Sequence, residues 1–430
     1  REFERYQGCG DPTNGFAWLQ CKPCEVHRLV PFSCQGRAFC PSCGGRRMAE
    51  RAAHLVDHVF PIVGVRQWVL TVPWGRRFLL ARDHALARGV LKLVSKEFFG
   101  WVSRAIGRRG PLGAQSGAVT VIQRFGSALR LNVHFHILVL DGGYTETESG
   151  EVVFHRCPKP STAEVGDIVE RVCERVEAYF RKQGHGEDDV FDSDPDDAQE
   201  LLQMAAVSGV AGVGRRRGQR ARRVVWLGGR EVTLPPRCAT AGGYNLHANT
   251  SVGSHDREGL ERLTRYISRP ALAKSRLKRR PDGSVVLELK RAWSDGTTGF
   301  VFTPSELVER LASLVPAPRT NTVVYHGVLA SNARLRSRVV ADARGPSREP
   351  SPEEGEIRLS RADRLAKRRG RWTPWPTLLH RVFGVEGWLL YPSDAADELL
   401  CVDSGGRRFL KKKKKTNTSD TPQMPQTAHI

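Results

Sequence analysis

The stretch Asn132-Val-His-Phe-His-Ile-Leu-Val-Leu-Asp141 decides how this chain is read. It is apolar enough for a buried strand, yet it carries two histidines separated by one phenylalanine. Successive strand residues point to opposite faces, so His134 and His136 share a face and Phe135 takes the other. Two imidazoles on one rigid strand can hold a divalent cation with little ordering cost. The triplet alone also fits a half-exposed strand with two polar positions, so its surroundings must decide.

Working outward, Arg66-Gln-Trp-Val-Leu-Thr-Val-Pro73 reads as a buried strand. Residues 84–106 then carry apolar positions at Leu86, Val90, Leu93, Val94, Phe98, Trp101, Val102 and Ala105, which is helical spacing. Strand-like runs follow at 118–124 and 131–140, joined by a short segment suited to a hairpin. Strand, helix, strand, strand opens a ferredoxin-like or palm-type α+β sandwich with an antiparallel sheet. A second amphipathic helix is expected over 164–181, an acidic solvated loop over 187–197, and a basic insertion around 141–235. Within that insertion, Arg215, Arg216, Arg217, Arg220, Arg222 and Arg223 read as a mobile cationic arm that binds DNA. Strands are expected again at 284–291, 298–303 and 322–328, with a helix at 304–314.

A basic helix over about 256–268 ends before Pro270. Its apolar stripe is Leu260, Leu263 and Ile267. Tyr266 lies off that stripe with Arg262 and Arg269 beside it, and Asp256 is a suitable N-cap. Guanidiniums there would neutralise a phosphate next to a phenol oxygen. Gln123, on the strand before the histidines, is a candidate neutral third ligand beside His134 and His136. Such a set leaves positions open for a phosphate oxygen, and imidazoles favour Mn²⁺ over Mg²⁺ in affinity.

Six cysteines crowd into the first 43 residues. Cys21-x2-Cys24 and Cys40-x2-Cys43 have the spacing of a four-cysteine zinc site. Cys9, Cys34 and His27 are open between packing, alternative ligation and a second site. A segment so poor in apolar pattern folds around a metal. The chain carries +21 net charge over 430 residues, which implies a polyanionic partner, most simply nucleic acid. Basic residues are scattered rather than gathered on one amphipathic helix, and no run approaches 18 apolar residues, so a membrane partner is not expected. Reduced thiols fit a cytosolic protein.

The chain resembles the HUH-endonuclease transposases of rolling-circle insertion sequences, closest to insertion sequence ninety-one and the related common-region elements. The likeness covers about residues 1–390. It rests on the six-cysteine start, Gln-Trp-Val-Leu-Thr-Val-Pro, Val-His-Phe-His-Ile-Leu with Asp-Gly-Gly-Tyr, Arg-Tyr-Ile-Ser-Arg-Pro, and Tyr-His-Gly-Val-Leu-Ala at 325–330. The resemblance implies an HUH nuclease core behind a small four-cysteine zinc-binding domain. It also implies structural Zn²⁺, catalytic Mg²⁺ or Mn²⁺, and Tyr266 as nucleophile forming a 5′-phosphotyrosine link to single-stranded DNA. Arg265, beside Tyr266, joins Arg262 and Arg269 as an expected DNA contact. Relatives with two catalytic tyrosines place the other four residues earlier, where this chain has Arg262, so it looks like the single-tyrosine branch. The setting implied is the bacterial cytoplasm, at the nucleoid.

The expected organisation is a zinc-binding domain at 1–50 with its N-terminus missing, a nuclease domain at 60–330, a linker and helical segment at 331–391, and a non-native or disordered tail at 392–430. Two other readings share these features: a plasmid replication initiator or relaxase, and a zinc-ribbon DNA-binding protein without nuclease activity.

Overall fold

The computed structural model describes residues 2–341, apart from 21–26, 35, 37–39, 109, 187–196 and 226–234. The acidic loop up to residue 196, the linker and helical segment beyond residue 341, and the tail therefore lie outside the described residues.

Six strands form the central sheet: β1 (Val65–Thr71), β2 (Gly117–Phe125), β3 (Leu131–Leu140), β4 (Cys238–Ala241), β5 (Tyr244–Val252) and β6 (Val323–Gly327). Their order is β6-β2-β3-β1-β5-β4, and every neighbouring pair is antiparallel. Four helices complete the framework: α1 (Pro41–His58), α2 (His84–Gly107), α3 (Thr162–Lys182) and α4 (Arg257–Ile267). From β1 through α2, β2, β3 and α3 to β5, the chain follows a β-α-β-β-α-β path with β3 inserted between β1 and β2. That is the split β-α-β arrangement.

The reason is the alternation along β3. Val133, Phe135, Ile137 and Val139 are buried in a core that includes Val90, Val94 and Phe98 of α2 and Ile168, Val172 and Val176 of α3. Leu138 and Leu140 join a second core on the other face, with Leu55 and Val56 of α1 and Leu260, Leu263 and Ile267 of α4. Apolar residues on both faces make β3 a fully covered central strand. The stretch expected to be a basic insertion supplies α3, which Ser161 and Glu164 start with a reciprocal capping box. Part of that stretch is thus sheet-covering core.

The first segment also differs from expectation. The helix that starts at the second Cys-x2-Cys pair runs on to His58, and the zinc region is joined to the body by a long packed helix rather than ending at residue 50. The 215–223 run is folded as well. Arg217 and Arg220 make bridges to Ala211 and Val210, and Arg222–Val225 is the edge strand of a four-stranded antiparallel sheet with Leu277–Arg279, Val285–Glu288 and Thr297–Phe302. Backbone pairing to Thr297–Phe302 fixes what the sequence suggests is a mobile arm.

Helix α4 is clamped onto α1. The Arg257 guanidinium donates to the carbonyls of Val56, Phe60 and Pro61, which lie at and beyond the C-terminal end of α1. Those carbonyls have no partner within the helix, so one charged fork satisfies several of them. At the other end of α1, a Cβ on Gly44 would stand 2.7 Å from Pro270 Cβ, so this close approach requires glycine. Replacing Arg257 by methionine keeps the stem and removes the donors. We expect unfolding free energy to fall by about 1–3 kcal/mol, with faster amide exchange at the end of α1. Unchanged denaturant midpoint and exchange would show that the clamp is not needed.

Candidate functional site

The site lies on the face of the sheet covered by α1 and α4. Cross-strand register puts Gln123 of β2 directly opposite His134 of β3, so the amide and the imidazole share a face. His136 sits one pleat further on, its ring centroid 4.9 Å from that of His134. The three residues singled out from sequence therefore converge. The Nε2 atoms of the two histidines are 3.1 Å apart. Two nitrogens each about 2.1 Å from one ion, at adjacent positions, stand about 3.0–3.4 Å apart, so the separation suits a shared cation.

The hydrogen bonds define which nitrogen faces inward. His134 Nδ1–H donates to Asn132 O at 2.9 Å, leaving Nε2 bare. His136 Nδ1 is 2.7 Å from Gln67 Nε2. Two proton arrangements satisfy this chain. In one, the Gln67 amide donates to His136 Nδ1, and His136 Nε2–H donates to His134. In the other, the Gln67 amide is turned, its carbonyl accepts from His136 Nδ1–H, and both Nε2 lone pairs point to one place. The orientation of the Gln67 amide thus decides the His136 tautomer, and only the turned amide leaves both Nε2 atoms free for a ligand. Sequence reasoning missed it, although a glutamine inside an otherwise buried apolar strand was a signal.

Gln123 Nε2 donates to Ile267 O at 3.0 Å, at the last residue of α4, while its Oε1 is buried without a partner. Asn132 Oδ1, two residues before His134, is likewise buried and unpaired. A lone buried carbonyl costs about 1–3 kcal/mol, and an oxygen-binding cation would offset it. Burial also holds both imidazoles neutral, with His134 at about 4 and His136 at about 3; nearby charges, Arg269 among them, push the same way. Neutral imidazole is the ligand form. The donor set fits a divalent cation.

Tyr266 stands where the periodicity predicts. Leu260, Leu263 and Ile267 are buried, and Tyr266 is 50% exposed. Its ring meets His136 edge-on, with centroids 6.3 Å apart and an 88° interplanar angle. Asp256 caps the helix, accepting from Gly259 N at 2.7 Å. The two flanking guanidiniums part company. Arg269 lies 4.2 Å from the Tyr266 ring centroid and donates to its backbone carbonyl. Arg262 turns to Glu258 and Asp256, at 3.6 and 3.9 Å. Arg265 is half-buried on the same helix. In the 215–223 run, Arg215, Arg217, Arg220, Arg222 and Arg223 are exposed, Arg216 is held by Glu306, and Arg223 pairs with Asp295.

Only part of the expected ligand set lies among the described residues. Cys40 and Cys43 are joined by Cys9 and Cys34, and all four sulfurs lie within 4.8 Å of one another. Cys21 and Cys24 fall outside the described residues. Cys40 caps α1 and Pro41 opens it, so the Cys-x2-Cys turn sits at a helix N-terminus, which favours thiolates. Separations of 3.5 to 3.9 Å between neighbouring sulfurs match the roughly 3.8 Å edge of a zinc tetrahedron with bonds of about 2.3 Å. Burial pushes the Cys40 thiol up to about 11, a charge penalty that a cation relieves. Cys9 and Cys34, which the sequence leaves open between packing and ligation, reach the cluster through the fold.

A four-sulfur cage beside a strongly basic α+β body puts the chain in the class of zinc-containing proteins that handle nucleic acid. Comparison with known families makes the assignment specific. Residues 117–337, just over half the chain, match the family described as "Putative transposase", and residues 1–72 match the "Transposase zinc-binding domain". The chain belongs to the transposase family of the insertion sequence ninety-one type. No curated protein and no solved structure matches it. Among the described residues, no helix is long and apolar enough to cross a membrane.

The sulfur geometry has a direct check. Cys34→Ser or Cys9→Ser protein should carry one zinc fewer per chain than the parent by elemental analysis, and melt at lower temperature. A Cys173→Ser control should lose none. Full zinc content in Cys34→Ser would exclude this ligand set.

Proposed function

We propose that this transposase cuts and rejoins single-stranded DNA through a 5′-phosphotyrosine link on Tyr266, the HUH-type chemistry of rolling-circle transposition. The observation that carries the reading is the exposed phenol of Tyr266 held edge-on against His136, above a sheet face bearing two inward-turned imidazoles and an unpaired amide oxygen. Mg²⁺ or Mn²⁺ held by His134, His136 and Gln123 would supply Lewis-acid polarisation of the scissile phosphate.

The chain's own residues account for the rest. Asn132 O fixes the proton on His134 Nδ1, and Gln67 with its amide turned would hold one on His136 Nδ1. Gln123 ties the site to the last carbonyl of α4, so the tyrosine helix and the imidazoles keep one spacing. Arg269 packs on the Tyr266 ring, limiting its rotation and placing positive charge where a phosphate arrives. The phenol gives its proton to solvent, its oxygen bonds to phosphorus, and the bond from phosphorus to the 3′ oxygen breaks. That oxygen takes up a proton and leaves as a free 3′-hydroxyl. Reversal with a 3′-hydroxyl from another strand restores a phosphodiester and frees the tyrosine. One phosphodiester-level bond is kept throughout, so the exchange needs no nucleotide hydrolysis. Arg262, at the position of a second tyrosine in some relatives, offers no nucleophile and lies within 4 Å of the Asp256 and Glu258 carboxylates.

With Mn²⁺ and a single-stranded oligonucleotide carrying the element's end, labelled at its 3′ terminus, the label should become attached to the protein and resist denaturing electrophoresis. Tyr266→Phe should abolish the adduct, and Tyr325→Phe should retain it. An adduct formed by Tyr266→Phe protein would assign the nucleophile elsewhere.

A further inference from the structure

We infer that the DNA strand leaves the Tyr266 centre over the hairpin between β2 and β3, gripped through its phosphates by Arg77 and Arg130, with a base stacked at Trp293. This rests on reading Tyr266 and the imidazole pair as the cutting centre, and it gives the second, four-stranded sheet a role as part of a single-strand track.

The placement follows from the sheet register. Thr71 of β1 pairs with His134, and Arg77 donates from Nε to the carbonyl of Val72, the next residue after Thr71, at 3.1 Å. Arg130 precedes β3 by one residue and lies four residues before His134, about 13 Å along an extended strand. Arg130 stands 5.8 Å from the ring centroid of Trp293. That indole sits in the turn before Thr297–Phe302, fixed by its backbone N–H to Thr297 O and by an edge contact with Phe300. It remains partly exposed. Arg276 bridges Glu288 O and Ser127 O, tying the second sheet to the turn.

Among the described residues, these cations lack counter-charge. Arg77 is held back by burial and by Arg130; Arg130 by burial and by Arg220 and Arg223; Arg276 by burial and by Arg269. No carboxylate is among the charges acting on these three, and Asp295 nearby is taken by Arg223. Guanidiniums that repel one another, Arg77 and Arg276 half-buried and Arg130 exposed at the surface, cost stability unless an anion joins them. The chain of cations begins beside His134 and ends at an aromatic ring. A row of phosphates with unstacked bases has the matching chemistry, since single strands are bound by cationic tracks carrying aromatic platforms. A duplex offers no free base to Trp293.

Binding, rather than cleavage, separates this inference from the one beneath it. Fluorescence anisotropy with a Tyr266→Phe protein, chelated of added divalent metal, measures affinity for a single-stranded oligonucleotide without any chemistry. Trp293→Ala should weaken that binding by roughly tenfold, and Trp293→Phe should restore most of it. Arg77→Gln with Arg130→Gln should lower the slope of log affinity against log salt by about 1.4, the value for two single-strand phosphate contacts. A duplex of the same length should not respond to the Trp293 change. If the arginine pair leaves the salt slope at the parent value, the track is wrong. Should Trp293→Ala fail to fold, the slope alone decides. Loss of tyrosine adduct in the parent protein with these binding changes intact would instead overturn the cutting centre and keep the track.

Discussion

Everything at this site depends on the two-residue alternation of one central strand. Odd positions of β3 bury Val133, Phe135, Ile137 and Val139 under α2 and α3, and that burial forces the even positions, His134 and His136, onto the opposite face. A register slip of one residue would turn both imidazoles into the aliphatic core under α2 and α3 and move four apolar groups onto the face that holds the site. The apolar residues thus hold the histidines in place, and the same packing that stabilises the sheet sets their spacing. Gln123 joins them because its own strand is locked in register by the same core.

A second constraint acts from above. The tyrosine helix is fastened at its start by Arg257 to the carbonyls that close α1, near its end by Gln123 to the Ile267 carbonyl, and just beyond by the contact of Gly44 with Pro270. Helix α1 begins at the thiol cluster. The cysteines are therefore mechanically continuous with the phenol, and a structural zinc would stabilise the seat of Tyr266 as well as the first fifty residues. The cysteine-rich segment that precedes the sheet is thus part of the support for the helix that carries Tyr266.

The periodic parts were legible in the sequence. The alternation in β3, the 3.6-residue spacing of α2 and α3, and the position of Tyr266 off the Leu260, Leu263 and Ile267 stripe all follow from burial, which composition records. Contacts made at long range were not. Cys9 and Cys34 carry no spacing signature, and only the return of the chain brings them to Cys40 and Cys43. Gln67 lies 69 residues from His136. The arginine run reads as free because a strand of four residues, Arg222–Val225, is held by backbone bonds to a partner some seventy residues away. Charge density is visible in the sequence, and its fixation is not. Tyr244 opens β5, and its hydroxyl donates across the fold to Glu177 at 2.6 Å.

The chemistry proposed for this face stands on His134 and His136 giving their two Nε2 atoms to one cation. Electron spin-echo spectroscopy of the Mn²⁺-loaded protein reads bound imidazole nitrogens directly. Coupling from two nitrogens is expected, one of which disappears in His134→Ala and one in His136→Ala. Bound Mn²⁺ without nitrogen coupling, or a spectrum that neither substitution alters, would be incompatible with shared ligation.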